Sequence, residues 1–173
     1  MNNLKIIFVF LLITASFTNC TKTEDTPSSV GVGSFTLNSN NYTTAYGYLS
    51  QYTNSTSKKE FSITFSDATS AQNVGNAKIE MTFVIIPSGG TLANGTYSYD
   101  LSHNTNLIEA FVRLREGTNE SQWEVSPNGI GYITITKTND NYVITYSFVA
   151  IIQGNSTNEQ TITGSYKGKL TSV

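Results

Sequence analysis

Residues Gln160–Leu170 read QTITGSYKGKL, and this stretch alternates strictly between two kinds of side chain. Ile162, Tyr166 and Leu170 fall on one side, whereas threonine, serine and lysine fall on the other. Successive side chains of a β-strand point to opposite faces of the sheet, so this alternation predicts a strand with one buried and one wet face. That pattern is typical of antiparallel sheets.

The same alternation recurs along most of the chain. It predicts further strands over Glu60–Asp67, Lys78–Ile86, Ile108–Glu116 and Tyr142–Ile152. Weaker patterns predict strands over Gly33–Leu37, Tyr42–Tyr52, Thr96–Asp100, Gln122–Ser126 and Gly131–Lys137. Turn sequences rich in Asn, Asp and Gly separate these runs. The sequence therefore predicts an all-β fold, an antiparallel β-sandwich or lipocalin-like barrel of about 8–10 strands.

Two local features follow from the same pattern. Tyr142–Ile152 is expected to form hairpins with both of its neighbours, Gly131–Lys137 and Gln160–Leu170, the second across a loop over Gln153–Glu159. Ala68–Gly75 is the one stretch that the pattern allows as a short helix.

The composition excludes several classes of function. The chain has 173 residues, a net charge of −2, one Cys and one His. A nucleic-acid binder should be basic, a disulfide within the chain needs two cysteines, and a zinc centre of several histidines or thiolates needs more of both. No nucleic acid, no metal and no cofactor is therefore expected.

The N-terminus has the order of a secretory signal. Met1–Cys20 reads MNNLKIIFVFLLITASFTNC, in which Lys5 precedes the apolar run Ile6–Ile13 and small polar residues follow it. The run is shorter than the ~20 residues that a membrane-spanning helix needs. Residues 1–19 are therefore interpreted as a signal peptide.

Phe17-Thr18-Asn19-Cys20 resembles the lipobox of bacterial lipoprotein precursors. The resemblance implies that Cys20 becomes the first mature residue and carries the lipid that anchors the protein to a membrane. Cleavage by ordinary signal peptidase is the alternative. Thr21-Lys22-Thr23-Glu24-Asp25 resembles the export signal of Bacteroidota surface lipoproteins, which implies display on the cell surface rather than on the periplasmic face of the outer membrane.

The polar segment after Cys20 reads as a flexible tether over residues 20–30, which leaves residues 31–173 as a single all-β domain. Four stretches of that domain resemble uncharacterised Bacteroidota lipoproteins of all-β, lipocalin-like or sandwich type. They are GSFTLNSNNYTTAYGY from Gly33, LANGTYSYD from Leu92, GYITITKTNDNYVITYSF from Gly131 and ITGSYKGKL from Ile162. This resemblance implies no activity and transfers no site residue.

A search for catalytic chemistry finds no constellation, so no catalytic residue is predicted. His103 lies in a loop without a nucleophile motif beside it. Glu80, Glu109 and Glu124 fall on wet strand faces, where they could form a carboxylate pair. The alternative is cross-strand pairing of these acids with Lys78, Arg113 or Arg115. Asp100 and Asp140 stand as single acids, which fits turns better than a calcium site.

Aromatic side chains are the remaining indication of a binding site. Alternation places Tyr42, Tyr46, Tyr48 and Tyr52 on one face, Phe111 points outward, and Trp123 lies beside charged residues. Exposed rings with polar neighbours stack on sugar rings or bind a protein partner. The candidate ligand-binding residues are Tyr46, Tyr48, Tyr52, Trp123 and Phe111. Alternatively, the tyrosines line the core with their hydroxyl groups reaching water.

Together these patterns predict a lipid-anchored envelope protein, exposed at the cell surface or on the periplasmic face. It is expected to be a non-enzymatic binding or accessory module. Its ligand would be a glycan, a small apolar molecule or a protein. The alternatives are a structural envelope lipoprotein without a ligand and a glycoside hydrolase that uses two carboxylates.

Overall fold

The computed structural model describes residues 30–99 and 106–173 of the chain, with the side chains of residues 108 and 155–157 left aside. The predicted signal peptide, Cys20 and most of the predicted tether lie outside the described residues, as do Asp100 and His103. In the described part, no helix is both long and apolar enough to cross a membrane.

The described residues form strands almost throughout, which confirms the predicted all-β class. The strands are β1 (Val32–Leu37), β2 (Asn40–Thr44), β3 (Tyr46–Thr53), β4 (Lys59–Ser66), β5 (Ile79–Ile85), β6 (Gly95–Tyr99), β7 (Leu107–Glu116), β8 (Asn119–Val125), β9 (Gly131–Thr138), β10 (Asn141–Ile152), β11 (Asn155–Gly168) and β12 (Thr171–Ser172). A short 3-10 helix over Ala71–Asn76 falls where a short helix was predicted.

One curled sheet contains all these strands and forms a half-barrel. Its main path runs β12-β3-β4-β5-β7-β8-β10-β11-β1-β2, and β9 pairs with β10 and β6. Every pair is antiparallel except β12 with β3, which is parallel. Both predicted hairpins of β10 are present. The second has a shorter turn than predicted, because β11 already begins at Asn155.

The sheet forks at β10. Residues Asn141–Phe148 pair with β9, whereas Ala150–Ile152 pair with β8. Val149 lies at the fork, where its N–H donates to the carbonyl of Ile130 at 3.0 Å and its carbonyl accepts from the N–H of Ser126 at 2.8 Å. The fork therefore places Ile130, which precedes β9, beside Val149 of β10.

The single strand predicted over Tyr42–Tyr52 is wrong, because the backbone breaks at Ala45. The N–H of Ala45 donates to the carbonyl of Ser66 at 3.1 Å, and its carbonyl accepts from Gly31 at 2.6 Å. Tyr42 pairs with Phe35 and stacks on its ring at 5.0 Å, so it faces inward. Tyr46 pairs with the outward-facing Ser66, so the break moves it to the opposite face from Tyr42.

Aromatic rings fill the centre of the half-barrel. Phe65 stacks on Tyr166 at 4.6 Å and on Tyr146 at 5.8 Å, and Phe83 lies 4.9 Å from Tyr146. Burial raises the pKa of Tyr146 above its ordinary range, and it raises the pKa of Tyr166 to about 12. The part of the core formed by these rings is packed side chain against side chain rather than hollow.

Candidate functional site

The outer surface of the sheet has two regions of different chemistry. The outward residues of β4, β5, β7 and β8 include several glutamates together with Arg113 and Arg115, and we call the outer side of these strands and of β3 the charged face. The outward residues of β6, β9, β10, β11, β1 and β2 are mostly serine and threonine, and we call this region the neutral face.

On the charged face, Glu80 is buried to 7% exposure and lies against two arginines. Arg113 Nη1 donates to Glu80 Oε2 at 2.9 Å, and Arg115 Nη2 lies 3.9 Å from the same oxygen. The alternative of cross-strand ion pairing is therefore confirmed for Glu80. Both guanidinium groups therefore engage this carboxylate in contacts between β5 and β7.

The same arginines are tied to β8. Arg115 Nε donates to Glu120 Oε2 at 2.8 Å and Arg113 Nη2 donates to Gln122 Oε1 at 3.2 Å. The guanidinium group of Arg113 also lies 5.4 Å from the centroid of the Phe111 ring. Phe111 is half-buried and covered by this cation–π contact, so its ring is less free for a ligand than alternation suggested.

The predicted ligand residues on β3 share the charged face but differ in exposure. Tyr48 is buried, with its hydroxyl donating to the carbonyl of Ala68 at 2.6 Å beneath the segment that carries the short helix. Tyr46 is half-buried, and Tyr52 is 44% exposed at the far end of the strand. Partial burial, a hydrogen bond with Glu60 and the charges of Glu60 and Glu109 raise the pKa of Tyr52 to about 12.

Trp123 lies on the inner face instead, at 8% exposure among the core residues. Together with Tyr42 it lines a hollow of about 210 Å³ at one end of the half-barrel. Strands β4 and β5 separate Tyr46, Tyr48 and Tyr52 from Phe111. The structure therefore does not bring the five predicted ligand residues together in one site.

The neutral face contains a groove that the sequence interpretation did not single out. It has a volume of about 410 Å³, within the range of about 300–1,000 Å³ that is typical of ligand pockets. Its lining comprises Ser98, Tyr99, Ile130, Gly131, Tyr132, Ser147, Val149 and Thr161. Tyr132 is 45% exposed and Ile130 is 70% exposed, so apolar surface is open to a ligand here.

Register explains how Tyr132 comes to lie between hydroxyl groups. Tyr132 on β9 pairs with Ser98 on β6 and with Ser147 on β10, and all three side chains point outward. Val149 pairs with Thr161 one step further along β10 and β11. The groove therefore has an exposed aromatic ring and two aliphatic side chains surrounded by hydroxyl donors and acceptors.

Gly131 allows the two strands beneath the groove to approach closely. A Cβ atom at this position would lie 2.7 Å from the Cβ of Phe148, closer than two such atoms can come. Any larger residue would push β9 away from β10 and move Tyr132 with it. The glycine before Tyr132 is therefore part of the site's construction.

The remaining polar candidates give no cluster in the described part of the chain. Asp140 lies 3.7 Å from Lys169 in an exposed ion pair. No group of three or more metal-ligating side chains occurs among residues 30–99 and 106–173. Comparison of the chain with protein-family models, with curated proteins and with solved structures finds no match.

Proposed function

We propose that the protein is a lipid-anchored, non-enzymatic envelope module that binds a neutral sugar ring in the groove around Tyr132. The observation that carries this proposal is the half-exposed Tyr132 ring with a serine on the strand at each side. A sugar ring has polarised C–H groups on its face and hydroxyl groups at its rim. The face of a tyrosine ring has a negative potential, and serine hydroxyls both donate and accept hydrogen bonds.

The lack of charge in the groove favours a neutral ligand over an acidic or basic one. Among the residues that the structure describes, the lining includes neither an acid nor a base. A charged ligand would lose hydration on entry without gaining an ion pair in return. The apolar residues Ile130 and Val149 extend the contact beside the ring, as is usual in small-molecule sites.

Replacing Tyr132 with alanine is expected to weaken binding of neutral sugars by at least about tenfold, because the stacking surface is removed. Tyr52→Ala is the matched control, since Tyr52 is 44% exposed on the opposite outer face. Isothermal titration with glucose-, mannose- and galactose-based oligosaccharides measures both variants. Equal affinities of the two variants, or no binding of any of these sugars by the native protein, would contradict the proposal.

The anchoring half of the proposal depends on Cys20. We expect cells fed labelled palmitate to label the native protein and not the Cys20→Ser variant, which should leave the membrane fraction because its acyl chains are missing. Equal labelling of both proteins would refute the anchor. The outcome is independent of sugar binding, so each half of the proposal fails separately.

A further inference from the structure

The hydroxyl groups beside Tyr132 continue across the whole neutral face in two parallel rows. The first row follows paired residues across six strands and comprises Ser98, Tyr132, Ser147, Thr163, Thr36 and Asn41. The second row comprises Thr96, Thr134, Thr145, Ser165, Ser34 and Thr43. All twelve side chains are uncharged, and each row crosses the strands at right angles.

These side chains are accessible along the whole length of the rows. Thr163, Ser165, Thr145 and Thr43 are exposed, and Ser147 is half-buried. Residues of opposite parity on the same strands face the core, as Ile162, Tyr146 and Phe35 do. The rows are therefore an open surface and not a second, partly covered core.

The dimensions fit an extended chain better than a single sugar. Neighbouring strands lie about 4.8 Å apart, so five spacings from β6 to β2 span about 24 Å. Successive outward residues along a strand are about 7 Å apart, which sets the separation of the two rows. The hydroxyl groups at the edge of a sugar chain that lies along the first row can therefore reach the hydroxyl groups of the second row.

The chemistry of the rows distinguishes between possible occupants. The buried centres of protein interfaces are enriched in large aromatic residues, Met and Arg and are depleted in Ser, whereas these rows are mostly Ser and Thr with one aromatic residue. A phosphate-bearing surface would require clustered Lys and Arg. Uncharged donors and acceptors repeated at strand spacing match a neutral polymer that carries hydroxyl groups at a regular repeat.

We infer that the neutral face binds a neutral polysaccharide chain that lies across the strands, with one sugar stacked on Tyr132 and further sugars hydrogen-bonded to the hydroxyl rows. This inference rests on the proposed function, since Tyr132 supplies the stacked position. It adds that the ligand is a polymer and that its direction is perpendicular to the strands. The strands β10, β11 and β1 provide the extended part of the site.

The test measures how the affinity depends on the length of the sugar chain and on the side chains of the two rows. We expect a six-sugar oligomer to bind at least about tenfold more tightly than the disaccharide of the same linkage, because the added sugars form further hydrogen bonds with the rows. The probes are linear β-1,4-glucan, α-1,4-glucan and β-1,4-mannan oligomers, titrated into the purified protein. Thr163→Glu should remove that gain, because it places a charge in the first row two strands from Tyr132.

Two further variants keep the test independent of folding. Thr163→Val retains the β-branched shape without the hydroxyl and should lower the affinity for the six-sugar oligomer by several-fold, with disaccharide affinity within about twofold of native. Thr53→Glu places the same charge at an exposed position at the end of β3, away from both rows, and should change neither affinity. Thermal unfolding monitored by circular dichroism confirms that each variant is folded.

The possible failures are distinguishable. Equal affinity for disaccharide and six-sugar oligomer, with both lost in Tyr132→Ala, would overturn the polymer inference and leave the proposed function standing. Length-dependent binding that survives Tyr132→Ala would overturn the proposed function. Self-association of the native protein that Thr163→Glu abolishes, without sugar binding, would assign the neutral face to a second copy of the chain and overturn both.

Discussion

Phe65→Ala is expected to lower the free energy of unfolding by about 3–5 kcal/mol, the range for removing a buried phenyl ring from a packed core. Phe65 is fully buried and is in contact with three other rings, those of Tyr166, Tyr146 and Phe83. These rings come from strands β5, β10 and β11, on different sides of the half-barrel. Removing Phe65 therefore leaves a cavity between sheet segments that cannot close without moving the strands.

Phe111→Ala is the matched control for this loss. Phe111 has the same ring but lies half-buried on the charged face beside Arg113, so its removal should cost about 1 kcal/mol. Urea unfolding followed by tryptophan fluorescence measures both variants against the native protein. Similar losses in the two variants would contradict the described packing of Phe65.

Gly164→Ala is expected to lower the free energy of unfolding by about 1–3 kcal/mol, because the added methyl group has no space. Its Cβ would meet the backbone carbonyl of Ser34 and would lie 2.6 Å from the Tyr146 ring. The carbonyl belongs to the neighbouring strand β1, and the ring belongs to the central aromatic cluster. Neither can move without disturbing the β1–β11 pairing or the core.

Gly89→Ala separates this steric effect from the general effect of replacing glycine. A Cβ at Gly89 would have no neighbour within 4 Å. Its stability should be unchanged or raised by up to about 1 kcal/mol, since alanine restricts the unfolded chain. The same unfolding measurement applies to both variants. A stability of Gly164→Ala equal to that of Gly89→Ala would show that β1 does not lie against β11 as described.

The strands with strict alternation were predictable because a buried face and a wet face require it. Ile162, Tyr166, Phe61, Ile63 and Phe65 all lie inward as their pattern predicted. The break at Ala45 was not predictable in this way. A period of two continues through a bend without any change in composition, so Tyr42 and Tyr46 carried the same parity but face opposite ways.

The candidate site was harder to predict from the sequence than the strands were. Trp123 was a candidate because the charged Glu124 lies beside it, yet on a strand such a neighbour points outward when Trp123 points inward. Tyr132 has the opposite pattern, between the inward residues Gly131 and Ile133. Alternation alone could have placed it outside. No local sequence pattern indicates the strand pairing that places Ser98 and Ser147 beside Tyr132.

The most direct test of the account is to map where a neutral glycan contacts the folded protein. Backbone amide signals would be followed by nuclear magnetic resonance while a six-sugar oligomer is titrated in. We predict that the shifted signals come from Tyr132, Ser147 and Thr163 and their neighbours on the outer side of β9, β10 and β11. Shifts concentrated around Phe111 and Arg113, or no shifts with any of the tested oligomers, would contradict it.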